Sequence, residues 1–222
     1  MNLALFDLDG TLIERDSDHA FGEFLISLGW ADSDHFQQRN DEFFAQYQSG
    51  ELDLAAYLDF ATAPWRGRSP AEQQYATARF MAEVMQPMLR ESARELVRSH
   101  QRAGDVVAIV TATNEFVTRP IADAFGVPEL IALQLERDAA GQVTGRVRGI
   151  PSFRAGKVAR VEQWLAARGQ ALSDFERTLF YSDSTNDLAL LERVSDPVAT
   201  NPGPALEAIA RDRGWRILRL FS

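Results

Sequence analysis

The sequence predicts an α/β protein: a doubly wound, mostly parallel sheet with helices on both faces, interrupted near its start by an all-helical insertion. Two observations carry the sheet. An apolar run, Leu3 to Phe6, opens the chain, and from Glu91 onward short β-branched or apolar runs alternate with helical periodicities. Strands alternating with helices imply parallel pairing through crossover helices, and continuously apolar strands imply burial on both faces. A third observation carries the insertion. Residues 12–90 hold 13 acidic and 6 basic side chains, most of the formal charge of −9, and show helical spacing only.

The elements follow in order. Leu3 to Phe6 is a strand. Between residues 15 and 88, Phe21, Phe24, Leu25 and Leu28 recur at i, i+3, i+4, i+7, and so form one helix face. Shorter stripes follow in Phe43, Phe44 and Tyr47, in Leu54, Tyr57, Leu58 and Ala61, and in Phe80, Met81, Val84, Met85 and Met88. Such stripes read as core and carry no chemistry. Ser49-Gly50, Pro64, Gly67 and Pro70 read as turns between them. A helix over 91–102 closes at Gly104, the run from Val106 to Val110 is a strand, and 118–125 is a helix ending at Gly126. Residues 130–147 read as a hairpin around Ala140-Gly141. Helices over 156–168, 186–193 and 204–213 then alternate with strands at 178–181, 197–199 and 216–220.

Bulk properties narrow the partners. The 222 residues suffice for one large domain carrying an insertion. No run approaches the ~20 apolar residues of a membrane span, and the N-terminus lacks a basic segment followed by an apolar one. Cysteine is absent, which removes disulfide and thiolate chemistry and fits a cytoplasmic protein. The net negative charge argues against broad contact with nucleic-acid phosphates.

Ligands of open α/β sheets sit at the carboxyl ends of the strands. Here those ends deliver Asp7 and Asp9; Thr111, Thr113 and Asn114; Ser182, Asp183, Ser184, Asn186 and Asp187; then Thr200 and Asn201. Any one of them could be a helix cap, but four carboxylates at one sheet edge repel one another unless a cation binds or protons are retained. Hard oxygen donors without Cys or His point to Mg²⁺. Lys157 is the only lysine among 23 basic residues. It falls at a helix start, where the dipole disfavours a cation, and it can serve as a point-charge partner of a phosphate.

Asp7-Leu8-Asp9-Gly10-Thr11, Thr111, Lys157 and Ser182 to Asp187 resemble, in order, the four motifs of the haloacid dehalogenase-like phosphohydrolases. The resemblance implies a Rossmann-like core over residues 1–14 and 89–222, with residues 15–88 as a helical cap of the C1 type found in the phosphoserine phosphatase-like subgroup. It implies Asp7 as nucleophile, Asp9 as general acid and base, and Thr111 and Lys157 as holders of the phosphoryl oxygens. It further implies Mg²⁺ held by Asp7, the Asp9 carbonyl and Asp183, with Asp187 ligating it or orienting its water. Ser184, Asn186 and Asn114 become candidate substrate contacts.

The cap should select the ester, a small-molecule phosphate. Asp16 matches the acidic residue that receives an ammonium in the phosphoserine enzymes. The stretch matching their carboxylate-binding arginine, residues 50–65, contains no arginine. Asp16 and Asp18 instead suit a cationic substrate without a carboxylate. The opening stretch through Leu25 also resembles subgroup IB hydrolases assigned as histidinol-phosphatases, which implies L-histidinol phosphate, with phosphoserine or another small phosphomonoester as alternatives. A phosphotransferase using the same aspartyl-phosphate is the alternative from another class.

Overall fold

The opening strand, β1 (Leu3–Phe6), is wholly buried and lies inside a six-stranded sheet in the computed structural model, which describes residues 1–221. Its neighbours are β2 (Val106–Asn114) and β6 (Thr178–Ser182), both parallel to it. Beyond β2 lies β3 (Leu130–Leu133), and beyond β6 lie β7 (Asp196–Thr200) and β8 (Arg216–Leu218), again parallel. The order β3-β2-β1-β6-β7-β8 means that the chain winds outward from β1 in both directions. The carboxyl end of β1 is therefore the topological switch point, where an open sheet leaves a crevice.

The alternation of side chains along the strands divides the core into two apolar clusters. Ala4, Phe6, Val107, Ile109, Leu179 and Tyr181 face α5 (Glu91–Arg102) and α6 (Glu115–Ala124). Leu3, Leu5, Ala108, Val110 and Phe180 face α7 (Ala155–Ala166), α8 (Leu188–Leu191) and α9 (Pro204–Asp212). The doubly wound parallel sheet expected from the sequence is the one observed.

Three local expectations change. Residues 130–147 are not one hairpin: the continuously apolar Leu130–Leu133 enters the main sheet, and only β4 (Leu135–Arg137) and β5 (Val143–Val147) pair antiparallel. β2 runs on past Val110, so Thr111, Thr113 and Asn114 lie in the strand itself. The helix expected over 186–193 shrinks to α8, because Thr185–Asp187 forms a 3₁₀ turn whose N-terminal Ser184 side chain accepts from the Asn186 N–H.

Between β1 and α5 the chain forms α1 (Ser17–Ser27), α2 (Ser33–Ser49), α3 (Leu54–Thr62) and α4 (Pro70–Phe80), then a π-turn over Met81–Met85. Part of this segment's acidity is capping: Asp16, Asp32 and Asp53 accept from first-turn N–H groups, and Ser69 with Glu72 forms a capping box ahead of Pro70. The segment has no core of its own on its inner side. Phe21, Phe24, Trp65 and Phe80 belong to the same cluster as Phe6 and Ile109, and Trp65 stacks on Phe116 of α6 at 4.1 Å.

Candidate active site

Asp7 follows β1 directly, its N–H bound to the Tyr181 carbonyl at 2.9 Å, so its side chain emerges at the switch point. Lys157 rises from the first turn of α7 and is 1% exposed. Its Nζ donates to Asp7 Oδ1 at 2.8 Å and to Asp187 at 2.8 Å. Burial alone would lower its pKa, but Asp187 and Asp7 outweigh that and hold it above the ordinary lysine value. They also offset the unfavourable helix dipole. Asp187 is further engaged by the Ser182 hydroxyl at 2.8 Å.

The loop after β1 is fixed against two other strand ends. Gly10 has φ +73, and a Cβ there would stand 2.3 Å from Asp183 Oδ2, so both backbone and space require glycine. Thr11 accepts from the Asp183 N–H at 3.1 Å, and its hydroxyl lies 3.1 Å from Asp183 Oδ1 and 3.4 Å from Asp7 Oδ2. Asn201, after β7, donates to the Gly10 and Thr11 carbonyls at 3.0 and 3.1 Å.

Asp9 accepts from the Ser17 N–H at 2.7 Å and from the Thr113 hydroxyl at 2.9 Å. Burial, then Asp16, pushes its pKa from 3.8 up to about 7, against the pull of the Ser17 and Thr113 hydrogen bonds. Burial pushes Asp7 up to about 7 as well, with Lys157 opposing and Asp187 and Asp9 adding. Asp183 is raised by burial and by Asp7 and Asp187. The crowding expected from the sequence is thus present, with one buried lysine to offset it.

The donor chemistry fits a hard divalent cation. Asp7 and Asp183 flank the same Thr11 hydroxyl, and the excess of buried negative charge falls on oxygen donors. Among the described residues no three His, Cys, Asp or Glu side chains group to hold a metal by themselves. Asp187, expected to ligate the metal or orient its water, is held here by Lys157 and Ser182.

A cavity opens beside Asp9, between the helical segment and the sheet. Its walls are the rings of Phe43, Phe44, Tyr47, Tyr57 and Phe153, with Asp16, Asp18, His19, Asn40 and Thr113 as polar groups, and no lysine or arginine. A separate groove reaches Asp9, Gly10, Asp16 and Asp183 from outside. Asp16, the N-cap of α1, touches both spaces; burial, then Asp18, brings its pKa up to about 6. Burial also brings Asp18 up to about 7.

Of the other sequence candidates, Thr111 is fully buried and accepts from the Thr113 N–H at 3.1 Å. Asn114 caps α6 and donates to Asp18 at 3.2 Å, so it supports the cavity wall. Ser184 caps its turn. Asn186 does not line the cavity: its Nδ2 donates to the Tyr47 carbonyl at 3.1 Å, binding the core to the end of α2. Arg154 donates beside it to the Gly50 carbonyl. Sequence reasoning gave no role to Thr11 or Ser17, placed Thr113 among the strand-end polar groups only as a possible helix cap, and read Phe44, Tyr47 and Tyr57 as core. The place of Thr11 in the Asp7 motif was the one available signal.

The haloacid dehalogenase-like hydrolase family model matches residues 4–192. A histidinol-phosphatase of Neisseria meningitidis is 45% identical over 98% of each chain. A phosphoserine phosphatase of Mycobacterium tuberculosis is 31% identical over 96% of this chain and 69% of its own. Among solved structures, a Bordetella pertussis protein of unknown function superposes with a TM-score of 0.93 at 48% identity, covering 99% of each chain. A substrate-bound phosphoserine phosphatase shares the fold at a TM-score of 0.68 and 19% identity, covering 97% of this chain and 91% of its own. A carboxylate cluster at the switch strand, one buried lysine and relatives of this kind lead to one assignment: the chain belongs to the haloacid dehalogenase-like hydrolases and is a phosphatase.

Proposed function

We propose that the enzyme hydrolyses L-histidinol phosphate with Mg²⁺, through an aspartyl-phosphate on Asp7. The observation that carries the substrate is the cavity next to Asp9, walled by aromatic rings and aspartates and free of lysine and arginine. It suits an ammonium and an imidazole and sets no lysine or arginine against a carboxylate. The name of the Neisseria relative agrees. The two arginines nearest the expected carboxylate position are engaged elsewhere: Arg66 with Asp59 and the Thr144 carbonyl, Arg68 over the Trp30 ring at 3.9 Å. Phosphoserine, suggested by the mycobacterial relative, is the second reading.

In the proposed reaction Asp7 Oδ attacks phosphorus, and the ester oxygen leaves with the proton of Asp9. The retained proton near pH 7 equips Asp9 for this and, once it is spent, for activating the water that releases phosphate. Lys157 and Thr111 hold phosphoryl oxygens, and Asp187 with Ser182 fixes the ammonium of Lys157. Mg²⁺, held by Asp7, Asp183 and the Asp9 carbonyl, would offset the charge of the phosphate. Residues 15–88 act as the cap over a core of 1–14 and 89–222. A cytoplasmic setting goes with a small metabolite ester of this kind.

The test is kcat/KM for L-histidinol phosphate and L-phosphoserine, with Mg²⁺ and then with EDTA. A metal-dependent preference for histidinol phosphate is expected, whereas a preference for phosphoserine overturns the substrate. Equal release of alcohol and inorganic phosphate in the presence of an acceptor alcohol separates hydrolysis from phosphotransfer. Asp9→Asn should lower kcat by roughly 10²–10⁴-fold; an unchanged rate places the acid elsewhere.

A further inference from the structure

Asp18 is an uncompensated carboxylate at the inner wall of the cavity. It is 8% exposed and accepts from Asn114 Nδ2 at 3.2 Å, with the Tyr57 phenol beside it. Both neighbours are neutral. The one basic side chain on the cavity wall, His19, is turned to Asp41 at 2.8 Å. A buried carboxylate without a cation is costly, and proteins ordinarily pair it. Here three separate elements hold the unpaired group in place: α1 carries Asp18, the end of β2 carries Asn114, and α3 carries Tyr57. The surrounding walls are aromatic, with the Tyr47 and Phe153 rings 6.2 Å apart at 34°. Aromatic faces and a carboxylate together attract a flat cation.

The two aspartates at the start of α1, Asp16 at its N-cap and Asp18 in its first turn, are not equivalent. Asp16 lines both the outer groove and the cavity, whereas Asp18 lines the cavity alone. In an amino alcohol phosphate the amine is two carbons from the ester oxygen, and any further substituent reaches deeper.

We propose, resting on the function proposed above, that Asp18, braced by Asn114 and Tyr57, is the specificity-determining residue that receives a flat, positively charged ring at the far end of the substrate, while Asp16 receives the amine. The ring enters between aromatic walls and donates an N–H to the Asp18 carboxylate. A phosphate ester lacking that ring leaves Asp18 unpaired, and this is how the site discriminates against shorter amino alcohol phosphates.

The experiment compares wild type with Asp18→Asn, and with Tyr57→Phe as a milder second variant. For each, the ratio of kcat/KM on L-histidinol phosphate to kcat/KM on p-nitrophenyl phosphate is measured, so that the fraction of active enzyme cancels. The ratio is expected to fall about 30–100-fold in Asp18→Asn, the range for losing a charged hydrogen bond in a closed site, and by less in Tyr57→Phe. A ratio that stays at the wild-type value in Asp18→Asn overturns the proposal. Inhibition of p-nitrophenyl phosphate hydrolysis by L-histidinol gives an independent reading: its Ki should rise by a similar factor, and an unchanged Ki also overturns it. If wild type prefers phosphoserine, the proposed function fails by itself, and the Ki shift still judges Asp18.

Discussion

Asp7→Asn is expected to remove turnover by at least about 10⁴-fold, the scale for losing a nucleophile whose partners cannot replace it, while the protein stays folded. The amide keeps the shape and an oxygen for the Lys157 ammonium, and Lys157 retains Asp187 as its anion. The substitution also removes one carboxylate from a set in which Asp9, Asp183 and Asp187 already crowd it. Thermal unfolding should therefore shift little, in contrast to the rate. Single-turnover assays with labelled substrate check this, since wild type should carry acid-stable label on the protein and the variant none. Full turnover by Asp7→Asn would end the nucleophile assignment.

Lys157→Met should be as inactive and much less stable. Lys157 is 1% exposed and bonded to two buried carboxylates, so its loss strands both. Removing one partner of a buried ion pair costs about 3–5 kcal/mol. The loss should depend on pH, and its sign follows from the direction of the shifts. Burial already raises Asp7 to about 7 with Lys157 present, and removal of the cation takes away the largest lowering influence. In the unfolded chain Asp7 returns to the ordinary 3.8, so between about pH 4 and 7 both folded proteins hold its proton and lose stability in step. Above about pH 7 wild type releases that proton beside Lys157, whereas the folded variant must keep it or bear the bare charge. The difference from wild type therefore widens as pH rises from about 7 to 9. Denaturant titrations at the two pH values read this directly, and an equal difference at both would contradict the ion-pair account.

The fold was legible where periodicity and strand ends coincide. Leu3 to Phe6 followed by two aspartates announces a buried strand with a polar edge, and the alternation after Glu91 announces the parallel sheet. Leu130 to Val147 misled because two short apolar runs around a glycine look alike whether they pair with each other or with a distant strand. Asp7, Lys157, Asp183 and Asp187 could be picked out by residue type, because burying charge demands a reason. Ser17 could not, and Thr113 stood out only as one more strand-end hydroxyl: a hydroxyl or a backbone N–H gains its partner only when folding brings it to Asp9. Tyr47 and Tyr57 fit a helical core stripe as well as they fit a cavity wall, since periodicity reports burial and not what lies opposite.

The sharing of one apolar cluster between the helical segment and the sheet decides how a substrate gets in. Swinging residues 15–88 away as a unit would expose Phe21, Trp65 and Phe80, each worth about 1.5–3 kcal/mol of burial. α2 is joined differently. Its Phe36 and Phe43 pack on Phe60 rather than in the main cluster, and its end is fastened to the core by the Asn186 and Arg154 hydrogen bonds, worth about 1 kcal/mol each. The cheaper excursion is a local one, in which the end of α2 lifts while α1 and α4 stay seated. Hydrogen exchange should then show the α2 amides opening well before those of α1, and Asn186→Ala should speed exchange in α2 alone. Filling of the inner cavity would be governed by a single fraying helix end, while the outer groove leaves Asp9 and Asp183 within reach throughout.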